Sequence, residues 1–409
     1  MGMSVRHGLV TLARQPRWRR WTLASFLARL PVTMSLLAFV LVGDQATGSL
    51  AVGASLAGAA TVASGLASPL RGRALDRREL RVGLQRASVA NAVALLALLA
   101  GVAIGAPIAV LFALAVVQGI TTAAISGGMR ALLPVVVPER DLERANAIEA
   151  VSIELAFVVG PTLAGTLALF VEPTVVLGIM AAAAAAAAWV MHPLPKLVPP
   201  KERPLAAPWS VPGIKPVLLI TVAVGMTVGV FEAALPPRAE QLGLAAAAAG
   251  PLLAFAAVGS GIGGILASGM VGASARANRL APRYLVAMGL LILPLAFLPT
   301  VPLLAGSLFL AGLPIAPLNA LGAMRLHASV PAGRQAEGFS VYVATIVLGA
   351  GLGQSAVGAL LERTGPEPLL AGGAAVPLLV ALVIIVVRSR PRPRASSRGT
   401  AAADAAGSS

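Results

Sequence analysis

The chain has 409 residues, of which 57% are hydrophobic and only 11% are charged, yet its formal net charge is +15. A soluble domain carries about 25% charged residues, so this composition excludes an ordinary soluble globular protein. The sequence has no cysteine and only three widely separated histidines, which excludes disulfides and the common Cys/His metal motifs.

Apolar runs long enough to cross a membrane recur along the chain. A transmembrane helix needs about 20 mainly apolar residues, and the runs do not show the period-two alternation of barrel strands. We therefore predict an all-α membrane protein with twelve transmembrane helices. The predicted spans are 21–43, 48–70, 83–104, 106–129, 147–170, 173–193, 215–236, 243–271, 284–301, 303–325, 338–361 and 368–387.

The basic residues are concentrated in alternate connections between the predicted spans. Of the 31 lysines and arginines, all but Arg29, Arg238 and Arg363 lie in the two terminal segments or in every second connection. The positive-inside rule therefore predicts that both termini are cytoplasmic. Trp18 and Trp21 are expected at that membrane boundary, as amphipathic aromatic residues often are. The charge is explained by topology and by anionic lipid, so we expect membrane lipids and no nucleic acid as partners.

A proline-rich polar connection divides the predicted spans into six and six. We predict an N-terminal six-helix half at 1–193, a cytoplasmic linker at 194–214 and a C-terminal six-helix half at 215–387. Residues 388–409 have no apolar periodicity and are predicted to be a disordered cytoplasmic tail. Paired six-helix halves are typical of transporters whose substrate site lies at the interface between repeats.

The connection between the second and third spans carries a charged motif. Gly72 can end a helix close to a neighbour, and Asp76 can accept backbone hydrogen bonds or pair with an arginine such as Arg77 or Arg81. One interpretation is a cytoplasmic latch between the two halves. The other is a solvated basic loop that follows the positive-inside rule.

Span 5 contains a proline flanked by glycines. Pro161 follows Gly160 and precedes Gly165, and such residues kink a transmembrane helix and allow close approach by another. In span 8, Gly259 and Gly263 are expected to make a close contact across the interface between the halves.

These segments resemble the major facilitator superfamily of secondary transporters. The first loop is similar to the family motif G-x-x-x-D-R-x-G-R-[RK], although Glu79 replaces its second glycine. The stretch between spans 4 and 5, with the sequence LLPVVVP followed by LERANA, resembles the branch with macrolide and siderophore exporters. The span-5 segment resembles a motif associated with drug:proton antiport, with Ala164 replacing one glycine. The resemblance implies a twelve-helix fold that works by alternating access.

Charged residues within spans are costly in a bilayer, so we treat them as functional candidates. Arg29 in span 1 and Glu154 in span 5 are predicted at similar depth. We expect them to form an ion pair in which Glu154 exchanges protons and Arg29 adjusts its proton affinity; a static structural pair is the alternative. Glu149 is expected to join Arg144 near the cytoplasmic surface. Glu232 is expected to bind a cationic substrate or to pair with Arg238.

The predicted function is secondary active transport in the cell membrane, with proton-coupled efflux of a small amphipathic compound such as an antibiotic. The expected partners are this substrate and protons, with no cofactor, no metal and no obligate protein partner. The sequence lacks a P-loop, so the chain is not expected to be an ATPase. The alternatives are proton-coupled uptake of a small metabolite and a lipid-handling membrane protein. An intramembrane enzyme is disfavoured because the spans lack a nucleophile–base or metal constellation.

Overall fold

The computed structural model describes residues 12, 14–76, 79–198, 214–268, 274–329 and 335–389. Within these ranges the regular structure is entirely helical. The α-helices are α1 Pro16–Thr47, α2 Leu50–Asp76, α3 Leu80–Ala103, α4 Ile108–Thr122, α5 Ile125–Ala131, α6 Leu133–Val136, α7 Glu139–Phe170, α8 Pro173–Met191, α9 Ile214–Gln241, α10 Ala249–Ser268, α11 Ser274–Ile292, α12 Val301–Gly312, α13 Ile315–Ser329, α14 Gln335–Thr364 and α15 Pro366–Ser389.

Eleven helical stretches of the described chain are long and apolar enough to cross a membrane. A shorter apolar helix, Leu280–Ala296, lies where the ninth span was predicted. The predicted all-helical class is therefore confirmed for the described residues. Helices suit a bilayer because they satisfy their own backbone polar groups in lipid. The arrangement of twelve helices in two halves stays a prediction. Much of the predicted linker (199–213) and of the predicted tail (390–409) lies outside the described residues.

Successive spans run in opposite directions, so the bundle has two faces. We call the face at which α1 begins and α15 ends the terminal face. The other face, at which α1 ends and α2 begins, is called the opposite face. The turn at the opposite face between α1 and α2 is made by Gly48, whose φ of 71° is a left-handed conformation that glycine adopts without strain.

The fourth predicted span is present as Ile108–Ala131, but its helix is interrupted at Ala123 and Ala124. Helix α4 ends at Thr122, Ala123 is extended with a ψ of 135°, and Ala124 has a φ of 66°. The hydroxyl groups of Thr121 and Thr122 donate to backbone carbonyls three residues earlier, and such local bonds compete with the helical ladder. The tenth predicted span is also interrupted, between α12 and α13, where Pro314 lies.

Two tryptophans form part of a small core near the terminal face. The rings of Trp18 and Trp21 stack with centroids 5.2 Å apart, and both side chains are buried with Leu12, Leu84 and Met129. Both tryptophans therefore lie near the end of the bundle at which they were expected, but their rings are buried among helix ends. Burial is possible because neighbouring helix ends cover both rings and because the Trp21 indole N–H donates to the Met129 carbonyl at 2.9 Å.

Candidate functional site

Helices α2 and α14 make a long antiparallel contact that joins the two predicted halves. A Cβ atom at Gly58 would overlap Ser355, and one at Gly65 would overlap the side chain of Leu348. On the facing helix, a Cβ atom at Gly351 would overlap Val62. Glycine is needed at these positions because the two backbones approach too closely for any side chain.

Within the described residues, the contact between α2 and α14 extends from the opposite face as far as Gly65. At the opposite face, the Ser49 hydroxyl donates to Glu362 Oε1 at 2.6 Å. Gly65 and Gly72 are seven residues apart, so they share one face of α2, yet a Cβ atom at Gly72 would meet no atom within 4 Å. Beyond Gly72, Leu75 of α2 packs on α3 and α5, next to Gly83 and Gly128, so only a contact with α14 is absent at Gly72 among the described residues.

A second contact between the predicted halves joins α7 to α10. A Cβ atom at Gly165 would overlap Ala247 and Gly250, and one at Gly250 would overlap the carbonyl group of Pro161. The span-5 motif therefore lies in this contact, near the opposite-face end of α7. Its first glycine, Gly160, instead packs on Thr33 of α1.

The glycines of span 8 make a different contact from the one predicted. Gly259 packs against Phe309 of α12, and Gly263 packs against Leu313 at the end of that helix. Both partners belong to the predicted C-terminal half. The prediction that these two glycines join the halves is therefore wrong, because Gly250, on another side of α10, makes that contact.

Arg29 is buried and forms an ion pair with Glu149 of α7. The pair has two contacts, and the second, from Arg29 Nη1 to Glu149 Oε2, measures 3.4 Å. The predicted pairs of Arg29 with Glu154 and of Glu149 with Arg144 are therefore wrong. Arg144 instead lies 3.5 Å from Asp141 on its own helix.

Helical rotation explains why Glu149 rather than Glu154 reaches Arg29. Gly160 faces α1 and lies eleven residues beyond Glu149, which places the two only about 20° apart around the helix. Glu154 lies five residues beyond Glu149, so it is about 140° away from the face that contacts α1. Sequence depth alone could not predict this rotation.

Glu154 and Glu232 remain without an ion pair among the residues that the structure describes. Both carboxylate side chains are half-buried, and Glu232 is the one partly exposed residue in the otherwise buried run 231–239. The expected partner of Glu232, Arg238, lies 3.3 Å from Glu367 and donates to the Leu298 carbonyl at 2.8 Å. The predicted pair of Glu232 and Arg238 is therefore wrong.

The charged loop motif is described only in part. The side chain of Asp76 and the whole of Arg77 lie outside the described residues. Arg81 lies 3.1 Å from Glu79 and donates to the carbonyl oxygens of His192 and Leu194, at 2.5 and 3.2 Å. These contacts tie the start of α3 to the end of α8 and leave the latch hypothesis open.

Sequence reasoning missed a group of buried polar residues around the break of α4. Ser88 and Asn91 on α3 and Thr121 on α4 are all buried. Their signal in the sequence was polar residues within apolar runs, three residues apart on α3. No group of three or more His, Asp or Glu residues that could hold a metal ion occurs in the part of the chain that the structure describes.

Comparisons with known proteins were made by sequence and by structure. The profile of the Major Facilitator Superfamily matches residues 21–284. An uncharacterised MFS-type transporter, y4rN, of Sinorhizobium fredii (strain NBRC 101917 / NGR234) is 31% identical over 194 residues. That alignment spans 46% of this chain and 46% of the relative, so it covers about half the length of each protein.

Several solved transporter structures have the same fold. The nucleoside transporter NupG aligns with a TM-score of 0.69 and 15% identity, covering 91% of this chain and 99% of that one. A variant of the peptide transporter POT aligns with a TM-score of 0.72 and 13% identity, covering 90% and 93%. The human organic anion transporter MFSD10 (TETRAN) has a TM-score of 0.64 and 14% identity, covering 90% and 99%. At these identities the likeness concerns the fold alone.

Proposed function

Since the chain belongs to the major facilitator superfamily of membrane transporters, we propose that it is a secondary active transporter for proton-coupled efflux of a small amphipathic compound. We further propose twelve spans in two six-helix halves, with a multi-pass location in the cell membrane and both termini in the cytoplasm. Transport proceeds by alternating access, in which the halves rock around a central site.

The observation that supports alternating access is the one-sided contact between the predicted halves. Helices α2 and α14 touch from Ser49 to Gly65 and make no contact at Gly72 among the described residues, while α7 and α10 touch around Gly165. Under the positive-inside rule the terminal face is cytoplasmic. This arrangement then corresponds to a state that is closed on the outside and loads its substrate from the cytoplasm.

Proton coupling is supported by the carboxylates that lack an ion pair within the membrane-spanning helices. Glu149 is neutralised by Arg29, whereas Glu154 and Glu232 have no such partner in the described chain. Unpaired carboxylates within spans are expensive and often mark proton or substrate pathways. We propose that Glu154 exchanges the coupled proton and that Glu232 binds a cationic group of the substrate.

Uptake of a small metabolite is the second candidate. It is favoured by the solved structures of similar fold, which include a nucleoside and a peptide transporter. Efflux is favoured by the resemblance of the segment at Gly160, Pro161 and Gly165 to the antiport motif. The two candidates differ only in the direction in which the proton gradient drives the substrate.

Transport in everted and right-side-out membrane vesicles distinguishes these candidates. We expect energised everted vesicles to accumulate a compound from a panel of dyes, antibiotics, nucleosides and peptides, with protons released in exchange. Glu154→Gln should abolish the coupled proton flux, whereas Glu172→Gln, an exposed carboxylate between α7 and α8, should leave it unchanged. Accumulation only in right-side-out vesicles would establish uptake, and substrate flux without proton flux would contradict the coupling.

A further inference from the structure

The break between α4 and α5 places non-helical backbone inside the bundle. The break at Ala123 and Ala124 lies 15 to 16 residues beyond Ile108, the first residue of α4, which is about 23 Å from the opposite-face end of that helix. Ala123 and Ile125 on either side of Ala124 are buried. Irregular backbone at membrane depth is tolerated only where it is buried in protein or lines a polar cavity. The side chains that surround the break therefore show which of these two cases applies.

Helix α3 runs antiparallel to α4 and α5 with a regular register. Three contacts define it, namely Gly101 with Leu111, Asn91 with Thr121, and Leu84 with Gly128. In each pair the two residue numbers add up to 212, so Ser88 lies opposite Ala124. Ser88 therefore lies at the level of the break along α3.

The polar groups at the break are buried and incompletely satisfied. Ser88 is 1% exposed, and its Oγ atom has no hydrogen-bond partner among the residues that the structure describes. Asn91, also 1% exposed, has only a long contact, 3.4 Å, between its Oδ1 atom and Thr121 Oγ1. Burying such groups without partners costs free energy, and a ligand coordinated by their oxygens would recover part of that cost.

A third helix contributes an unsatisfied hydroxyl group to the same region. The Trp21 indole of α1 donates to Met129 of α5, and Ser25 lies one turn further along α1, toward the start of α5. Ser25 is 1% exposed, and its Oγ atom also has no partner. Arg29, one more turn along α1, is neutralised by Glu149, so no net charge from this pair opposes a bound cation.

We propose that the break of α4 is a binding site for a monovalent cation, Na⁺, held by the side-chain oxygens of Ser88, Asn91 and Thr121 and by backbone carbonyls at the end of α4. The last carbonyls of a helix lack helical donors and carry the negative end of its dipole. The neutral oxygens suit a single positive charge, because no carboxylate is present in this set to balance a second one.

The position of the break supports a ligand site rather than a packing defect. The fourth and tenth predicted spans are both interrupted, the second one between α12 and α13. Interrupted spans at corresponding positions of two repeats are a pointer to ion and substrate sites in transporters, where the end of a broken helix coordinates the cation. The proposal does not depend on proton coupling or on the direction of transport.

Na⁺ binding is tested with the purified full chain in detergent by thermal unfolding in NaCl and in choline chloride of equal ionic strength. We expect Na⁺ to raise the midpoint in a saturable way, since a ligand that binds only the folded state stabilises it. Ser88→Ala and Thr121→Val should each weaken the apparent Na⁺ affinity at least about tenfold. The matched control is Thr221→Val on α9, a buried threonine whose hydroxyl group also bonds a carbonyl of its own helix, at 2.7 Å, and it should keep the Na⁺ response.

Direct binding of ²²Na⁺ to the same samples provides a second measurement if a variant folds poorly. Equal midpoints in both salts and no bound ²²Na⁺ would overturn the proposal and assign the space to buried water. Loss of the Na⁺ response in Thr221→Val as well would also overturn it, because the effect would then not belong to the break. Neither measurement depends on transport. A negative result would therefore rule out the Na⁺ site without bearing on the proposed proton-coupled efflux.

Discussion

At the scale of single residues, the pair of Arg29 and Glu149 dominates the electrostatics of the membrane interior. Both side chains are almost completely buried, so each would be very costly without the other. Removing one partner of such a pair leaves an uncompensated buried charge, whereas replacing both with apolar groups is often tolerated. Single and double variants therefore measure two different quantities, namely the penalty for an unpaired buried charge and the net contribution of the pair to stability.

We predict that Arg29→Met alone lowers the free energy of unfolding by about 3–5 kcal/mol, and that Arg29→Met combined with Glu149→Leu recovers most of this loss. Reversible unfolding of the purified protein measures both values. The control is Arg144→Met, which removes a half-exposed partner of Asp141 and should cost no more than about 1 kcal/mol. Equal costs for Arg29→Met and Arg144→Met would contradict a buried, desolvated pair.

The sequence identified Arg29 as the basic residue that topology does not explain, but it did not identify its partner. Depth along a span follows from counting residues, whereas the side of the helix that meets α1 depends on tilt and rotation. These are set by the close packing of Gly160 on Thr33. The sequence therefore identified both Glu149 and Glu154 as charged residues of the same span. Which of them pairs with Arg29 depends on the orientation of α7 in the fold.

At the scale of elements, the break of α4 is the strongest departure from the predicted helices. A window of about 20 residues averages hydropathy, so it detects a span without detecting an interruption in it. The sequence around the break, with Thr121, Thr122, Ser126 and two glycines, contained residues that favour local turns over helix. The outer limits of the span were predictable, and its continuity was not.

Ala124 gives a direct test of the break. Its φ of 66° is left-handed, which costs a residue with a Cβ atom roughly 1–2 kcal/mol. We predict that Ala124→Gly raises the free energy of unfolding by about 0.5–1 kcal/mol, because relief of strain exceeds the added flexibility of the unfolded chain. Thermal unfolding measures the change.

The neighbouring residue is the matched control for Ala124. Ala123 has a φ of −56° and a ψ of 135°, which any residue adopts without strain. Ala123→Gly should therefore lower the free energy of unfolding by about 0.5–1 kcal/mol. Changes of the same sign in both variants would show that the left-handed conformation of Ala124 is not present in solution.

At the scale of the whole molecule, the order of helices and the excess of basic residues at alternate connections were predictable from hydropathy and charge. The contacts between the predicted halves were not, because they depend on small residues that carry no individual signal. Gly58 and Gly65 lie among the 43 glycines of the chain, and the sequence does not distinguish their close packing from the environment of Gly72, where a Cβ atom would meet no described atom within 4 Å. Alternating access nevertheless requires the contact between α2 and α14 to open at one end of α2 and to close at the other.

Crosslinking at the opposite face tests whether that contact opens during transport. The native chain has no cysteine, so Ser49→Cys combined with Glu362→Cys introduces the only two thiols, at positions now joined by a 2.6 Å hydrogen bond. A short thiol-specific crosslinker should stop substrate flux in this double variant, because alternating access requires α2 and α14 to separate at this end. Either single variant treated in the same way should keep its flux.

A second pair of cysteines controls for crosslinking as such. Glu172→Cys combined with Thr174→Cys places two thiols just before and at the start of α8, where the native side chains lie 3.4 Å apart. This pair lies at the same face but does not bridge α2 and α14, so the crosslinked protein should still transport. Continued flux in the crosslinked Ser49 and Glu362 double variant would show that α2 and α14 stay in contact here throughout the cycle. Alternating access through this end of the bundle would then be wrong.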